Sequence, residues 1–414
     1  MTSSPSNIAG RIAFAYPDFV NYQVARFFIV LALEMQSVAV GWQIYDITRR
    51  PFDLGMVGLV QFLPGIILFL VSGHTADLVD RRKLLTACYA GFAVCSGLLL
   101  ASTILAPRSV YPIYAVLVLI GMVRSFYGPV SRSLLPQLVP EQYFSSAVAW
   151  NSTFFQTANV VGPAIGGLIY AAFHGAHAVY AAAILTGVTA VTATLRIKLV
   201  RKPRPREKVT PATVLAGLRY IRDQHLVLGA ISLDLFAVLL GGAVALLPVY
   251  AREILVTGPW GLGILRSAPA VGAASMAMFL AYRPLRRRAG EAMLWCVAAF
   301  GLFTVIFGLS RSIVLSFLAL SLAGAADMVS VVVRATLVML GTPDEMRGRV
   351  NAVDMMFIGA SNELGQFESG LAAQWLGTVP AVVAGGIGTI LITALWAWRF
   401  PELRKVDRLP EASA

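Results

Sequence analysis

Residues 139–167 read VPEQYFSSAVAWNSTFFQTANVVGPAIGG, and residues 342–370 read TPDEMRGRVNAVDMMFIGASNELGQFESG. Pro140, Asn151, Asn159, Gly162 and Gly167 of the first stretch return 203 positions later as Pro343, Asp354, Asn362, Gly365 and Gly370, with no insertion between the first and last pair. Agreement held in phase over that length marks an internal duplication. Each stretch runs from a polar loop into a long, mostly apolar span, so the duplicated unit is a set of membrane helices. Parallel halves of this kind are related by an axis along the membrane normal, with a binding site expected where they meet.

Composition supports the membrane setting. Hydrophobic residues fill 57% of the 414 positions and charged residues only 13%, about half of the ~25% usual in soluble domains. A soluble fold has too few polar side chains here to cover its exterior, whereas a bilayer asks only that backbone groups be satisfied within helices. Reading from one polar break to the next gives spans long enough to cross ~30 Å of hydrocarbon. They fall near 22–45, 54–75, 84–106, 111–134, 145–172 and 177–197, then 226–250, 260–281, 291–309, 312–337, 350–376 and 379–399. The expected fold is an all-α membrane protein of twelve transmembrane helices in two pseudo-symmetric six-helix bundles, 1–200 and 226–414. Between them lies a basic, Pro-containing linker, 201–225, whose later part has the pattern of a short amphipathic helix.

The net charge of +12 is explained by topology. With an even span count and both termini inside, about 24 of the 33 Lys and Arg fall in inside loops, the linker or the tails, as the positive-inside rule requires. That distribution suits anionic lipid and excludes nucleic acid as a partner. The expected location is a bacterial cytoplasmic (inner) membrane with both termini cytoplasmic. The three cysteines, Cys88, Cys95 and Cys296, lie inside apolar runs and do not form a secreted-type disulfide framework. The first eighteen residues are polar, so no removable signal peptide is expected. His74, His174, His177 and His225 fall in or beside loops without metal-ligand spacing, and no GxxxxGK loop is present, so neither a metal, a cofactor nor direct ATP use is expected. The chain is expected to work as a monomer and not as an enzyme.

The most specific local signal is GHTADLVDRRKLL, residues 73–85, between the second and third spans. A carboxylate at one helix end can sit at the positive N-terminus of another and bond an Arg, holding two bundles together on one face of the membrane. The stretch resembles the signature loop of the major facilitator superfamily, GxLADRxGRRxxL: Gly73, Ala76, Asp77, Arg81, Arg82 and Leu85 match, while Thr75, Leu78 and Asp80 replace Leu, Arg and Gly. The resemblance implies a cytoplasmic gate in which Asp77 faces the eleventh span and Arg132, supported by Arg81 and Arg82. Asp80 is expected to serve the tight turn left by the missing Gly, because Asp visits left-handed geometry. In the second half AYRPLRRRAG, 281–290, keeps Arg286–Arg288 but has Tyr282 near the place of the acid.

On the fourth span RSFYG, Arg124–Gly128, is similar to the superfamily's RxxQG element, whose Arg the resemblance links to proton coupling. An Arg at mid-membrane is expensive unless it meets a wet cavity or an acid, which marks Arg124 independently. Glu34, at comparable depth on the first span, is its expected partner and the first choice for proton carrier, with Asp234, Asp327 and Glu363 behind it. Arg26 and Arg334, near cytoplasmic helix ends, are expected to snorkel. Glu363 and Glu368 stand where the first repeat has Val160 and Ile165, so they are additions to the shared scaffold, and Glu368 is a candidate for the substrate cavity.

On the fifth span NVVGPAIGG, 159–167, resembles the GPxxGG core of the antiporter element of export families. Asn159, Gly162, Pro163, Gly166 and Gly167, with Asn362 and Gly365 in the repeat, are the expected hinge or close-packing positions. Over nearly the whole chain the pattern looks like the branch of the superfamily that includes enterobactin exporters and macrolide-efflux-type proteins. That resemblance implies alternating access about a cavity lined by the first, fourth, seventh and tenth spans, where Phe27, Tyr127, Phe236 and Arg266 are candidates to meet cargo. The expected function is proton-coupled export of a small amphipathic molecule, a drug or a siderophore, with protons and the lipid bilayer as further partners. An uptake symporter for a small solute and a lysophospholipid flippase on the same scaffold are the alternatives.

Overall fold

The computed structural model describes residues 12–198, 211–285 and 287–407, except that the side chains of 69–74, 76–78, 211, 212, 214 and 344 are not described. The described residues contain no strand. Twelve long helices run in order: α1 (Pro17–Thr48), α2 (Pro51–Leu78), α3 (Arg81–Leu105), α4 (Tyr111–Leu134), α5 (Phe144–Phe173), α6 (Ala176–Leu195), α7 (His225–Leu240), α8 (Gly258–Tyr282), α9 (Ala289–Leu309), α10 (Ile313–Leu340), α11 (Asp344–Leu376) and α12 (Thr378–Arg399). A thirteenth, the linker helix, spans Pro211–Asp223.

Among the described residues ten of these helices are both long enough and apolar enough to cross a bilayer, the seventh span running on from α7 to Ile254. The other two, α5 and α11, have 30 and 33 residues, about 45–50 Å at 1.5 Å per residue, and are the duplicated stretches of the sequence. Their lower hydropathy comes from polar residues within a helix of spanning length. The first turns of α11 carry Asp344, Glu345, Arg347 and Arg349.

The seventh span differs from the single helix expected over 226–250. It stops at Leu240, turns through Gly241 and Gly242, and resumes as short helical turns that end in a π-turn, Tyr250–Ile254. Two glycines and Pro248, which lacks an amide hydrogen, account for the interruption. Gly242 also lets the chain approach α11, because a Cβ there would sit 2.8 Å from the Gly365 carbonyl oxygen.

By contacts the described residues form two compact units: residues 12–43 with 63–198, and residues 44–62 with 211–407. In the first unit, α1 is bonded to its neighbours by buried polar groups one heptad apart. Ser96 donates to Gln36 Oε1 at 2.7 Å, and Tyr180 donates to Gln43 Oε1 at 2.8 Å. Such pairs fix register where hydrophobicity cannot, since lipid tails are as apolar as the core. In the second unit, Leu233, Ala237, Met293, Val297, Val333 and Leu337 build one apolar core across α7, α9 and α10. A second core joins Ile221 of the linker helix to Val227, Ile231, Val338, Val350 and Val353. The outward faces are apolar too: Leu391, Leu395 and Trp398, spaced along one face of α12, are 64%, 47% and 77% exposed, a stripe suited to lipid and not to water.

Candidate functional site

In the first unit the GPAIGG stretch of α5 lies against α1. A Cβ on Gly162 would stand 2.6 Å from Glu34 Cβ, and one on Gly166 would stand 2.7 Å from Met35 Cα. These glycines are therefore helix-packing positions, and they place half-buried Glu34 directly over the α5 backbone. Pro163 and Gly167 are buried beside them. Asn159 donates to the Phe155 carbonyl one turn back at 3.0 Å, and its repeat counterpart Asn362 does the same to Ile358 at 2.8 Å. Both amides are thus spent on their own helices. Gly365 meets α7 as Gly162 meets α1, since a Cβ there would lie 3.0 Å from the Leu239 and Val238 carbonyls.

Further toward the start of α1, Tyr22 donates to the Ser131 carbonyl at 2.9 Å, and Arg26 donates to Asn151 while its guanidinium lies 5.0 Å from the Phe155 ring centre. Tyr127 packs on Tyr89 and Phe92, each with ring centres 5.8 Å apart, and Phe27 packs on Phe154 at 6.2 Å. Arg124 is exposed.

At the signature loop, the environment of Gly73 and the side chain of Asp77 lie outside what the structure describes. Arg81 donates to the Ser133 carbonyl at 3.2 Å and Arg82 to the Leu195 carbonyl, so the two arginines bond the ends of α4 and α6. Arg132 is exposed in the last turn of α4. Asp80 corrects an expectation: its φ is −53°, not left-handed, and its carboxylate accepts from the Arg82 and Lys83 amides at 2.8 and 3.1 Å. It caps α3, which satisfies two of that helix's free N–H groups.

The second unit holds the densest buried charge among the described residues. Arg334 of α10 is 3% exposed, with Nη1 2.6 Å from Asp354 of α11 and Nη2 3.5 Å from Asp234 of α7. Both acids are buried, and the Arg334 Nε has no hydrogen-bond partner among the described residues. The snorkelling expected of Arg334 is thereby overturned. A side chain walled in by α7 and α11 cannot reach water, and the two carboxylates supply the compensation that water would have given. Asp327 stands two turns from Arg334 along α10 and is half-buried.

The sequence singled out Asp234 and Asp327 but passed over Arg334 and Asp354 as functional. The signal was present in the repeat. Asp354 stands opposite Asn151, and Arg334 stands 203 positions after Ser131, so both positions are neutral in one half and charged in the other.

Nearer the opposite end of the second unit, α2 begins against α11. A Cβ on Gly370 would lie 2.6 Å from Gly55 Cα, and one on Gly58 would lie 2.6 Å from the Glu363 carbonyl oxygen. Gln366 donates to Glu363 at 3.2 Å, and Ser369 lies 3.5 Å from the Glu368 carboxylate. Tyr45 donates to Glu253 at 2.5 Å, and Arg252 pairs with Asp46 at 2.6 Å. Phe236, 36% exposed, packs on Trp396 with ring centres 5.3 Å apart, and Arg266 is half-buried on α8.

The model of the transmembrane secretion effector family matches residues 14–413. Enterobactin exporters of Shigella boydii serotype 18 and Escherichia coli O81 are each 28% identical to this chain over 408 residues, which cover 95% of it and 94% of the relative. Among solved structures, a bacterial homolog of the human lysosomal transporter Spinster, inward-facing and unoccupied, has a TM-score of 0.73 at 13% identity, with 99% of this chain and 100% of that one covered. A D-xylose–proton symporter has a TM-score of 0.70 at 13% identity, covering 93% and 98%. At these identities the two structures are alike in fold.

Proposed function

The chain belongs to the transmembrane secretion effector family, membrane transporters of the major facilitator superfamily and not enzymes, and we propose that it exports a catecholate siderophore of the enterobactin type in exchange for protons. The observation that carries this reading is the likeness to enterobactin exporters over 95% of the chain. Taken unit by unit, exposed Arg124 with Tyr127 and Phe27 in the first, and half-buried Arg266 with Phe236 in the second, are side chains of the kind that suit an anionic, aromatic cargo.

Export proceeds by alternating access, the mode that parallel repeats of this kind support. We place the chain as a monomer in a cytoplasmic membrane, and the basic residues of its loops support an orientation with both termini inside. Asp77 and Arg132 form the cytoplasmic gate, supported by Arg81 and Arg82. The glycines at 162, 166 and 365 keep α5 and α11 close enough to α1 and α7 for each half to move as one body.

Ligand-dependent stability tests the cargo. Enterobactin is expected to raise the unfolding temperature of the purified protein in a concentration-dependent way, since a ligand that binds only the folded state stabilises it. Cationic lipophilic drugs and lysophospholipids are expected to leave it unchanged, and stabilisation by either of those alone would contradict the siderophore reading.

A further inference from the structure

The Arg334 cluster is built from three helices of the second unit and is uneven in charge. Two buried carboxylates, Asp234 and Asp354, share one guanidinium, so the set carries a net charge of −1 when both are ionised and none when one proton is bound. The groups facing it are Asp327 on α10 and the three members themselves. Of the helices packed about it, α9 contributes Glu291 in its first turn and Cys296 in the apolar core, and α12 contributes Arg399 in its last turn. The linker helix contributes Arg219, Arg222, Asp223 and Tyr220, which are solvent-facing or bonded to the Gly341 carbonyl. On α11 itself Arg347 donates to the Met339 carbonyl and Arg349 to the Met346 sulfur, and among the described residues Arg334 is the cation paired with Asp234 and Asp354.

The duplication shows that packing alone does not require this. At the matching positions the first unit has Ser131, which bonds Tyr22, and Asn151, which bonds Arg26. The arginine there bonds a neutral amide, and that contact brings no carboxylate with it. In the second unit the arginine has moved to α10, the amide has become Asp354, and an extra acid, Asp234, has been added.

We propose that Asp234, held beside Arg334 and Asp354, is the proton-carrying carboxylate of this transporter, with Arg334 and Asp354 as positioning residues. Asp354 keeps the short bond to Arg334 and remains ionised. Asp234, at the longer distance, accepts a proton on one carboxylate oxygen and lets go of the guanidinium. When the proton leaves, the carboxylate returns to Arg334 and ties α7 to α10. Asp327, about 10 Å along α10 on the same face, is the intermediate stop for the proton. The inference rests on the reading that export is driven by protons, and it moves the carrier from Glu34 on α1 to α7.

The test needs no cargo. Protein reconstituted in phosphatidylcholine vesicles is examined by pH-difference infrared spectroscopy for the carbonyl stretch of a protonated carboxyl group, identified by its shift in deuterium oxide. Wild type is expected to gain such a band as pH falls and to bind one more proton per chain than Asp234→Asn. Asp234→Asn should lose that component of the band. Asp354→Asn should lose it too, because Arg334 then faces a single acid; Arg334→Lys should retain it. If Asp234→Asn does not give monodisperse protein, Asp354→Asn decides. Persistence of the full band in Asp234→Asn, or its loss in Glu34→Gln instead, overturns the proposal. A wild type that shows the band and its loss in Asp234→Asn, yet exports nothing along a pH gradient, defeats the export reading and leaves the proton site standing.

Discussion

Arg334 of α10 lies 2.6 Å from Asp354 of α11, and these are the two positions at which the first half of the chain has Ser131 and Asn151. In the first unit those two positions bond α1 separately, Ser131 accepting from Tyr22 and Asn151 from Arg26, whereas in the second they form a buried ion pair with each other. Because the pair lies away from water, its two ends differ in what their loss does.

Arg334→Met leaves Asp234 and Asp354 buried with no cation between them. Breaking such a pair from one side costs about 3–5 kcal/mol, and a lowered unfolding temperature is expected. Asp354→Asn leaves Arg334 with Asp234 and should cost clearly less. Scanning fluorimetry of both variants checks the order; equal losses would mean that Asp234 does not compensate Arg334.

Gly166→Leu should abolish folded protein, since a Cβ at that position already meets Met35 Cα at 2.7 Å and backbone cannot yield as a flexible side chain can. Gly128→Ala has open space around its new methyl and should be tolerated. Monodisperse yield from membranes measures both.

Asp80→Ala removes both hydrogen bonds that cap α3 and is expected to cost about 1 kcal/mol, whereas Asp80→Asn should recover most of it. Thermal unfolding of the two variants checks this. Equal loss in both would point instead to the charge of Asp80 among its basic neighbours.

Arg252→Ala removes an ion pair with Asp46, a residue whose side chain is 47% exposed. Exposed pairs are worth about 0–1 kcal/mol, so stability should hardly change. A drop of several kcal/mol in denaturant titrations would show that the pair is shielded from water.

The fold was legible because its causes are local and repeated: apolar runs of spanning length and a duplication at an offset of 203 residues. The polar helices α5 and α11 were legible from the duplication more than from hydropathy. The break in the seventh span was less so, since Gly241 and Gly242 sit inside an apolar run that also fits a continuous helix. At the site, Asp234 and Asp327 stood out as acids in lipid-spanning stretches. Arg334 did not, because depth along a helix says nothing of which neighbours wall it in. The same limit applied to Asp80, whose cap depends on where α3 begins. The amides of Asn159 and Asn362 bond carbonyls of their own helices, a contact that spacing alone does not distinguish from one across helices.

The central claim is export of a siderophore against protons, and the most direct measurement is flux in proteoliposomes. Inside-out vesicles containing the protein, acidified inside relative to the medium, should accumulate enterobactin saturably, and collapsing the pH gradient with a protonophore should stop the accumulation. Accumulation that is indifferent to the gradient, or no saturable flux of enterobactin at all, would contradict the account.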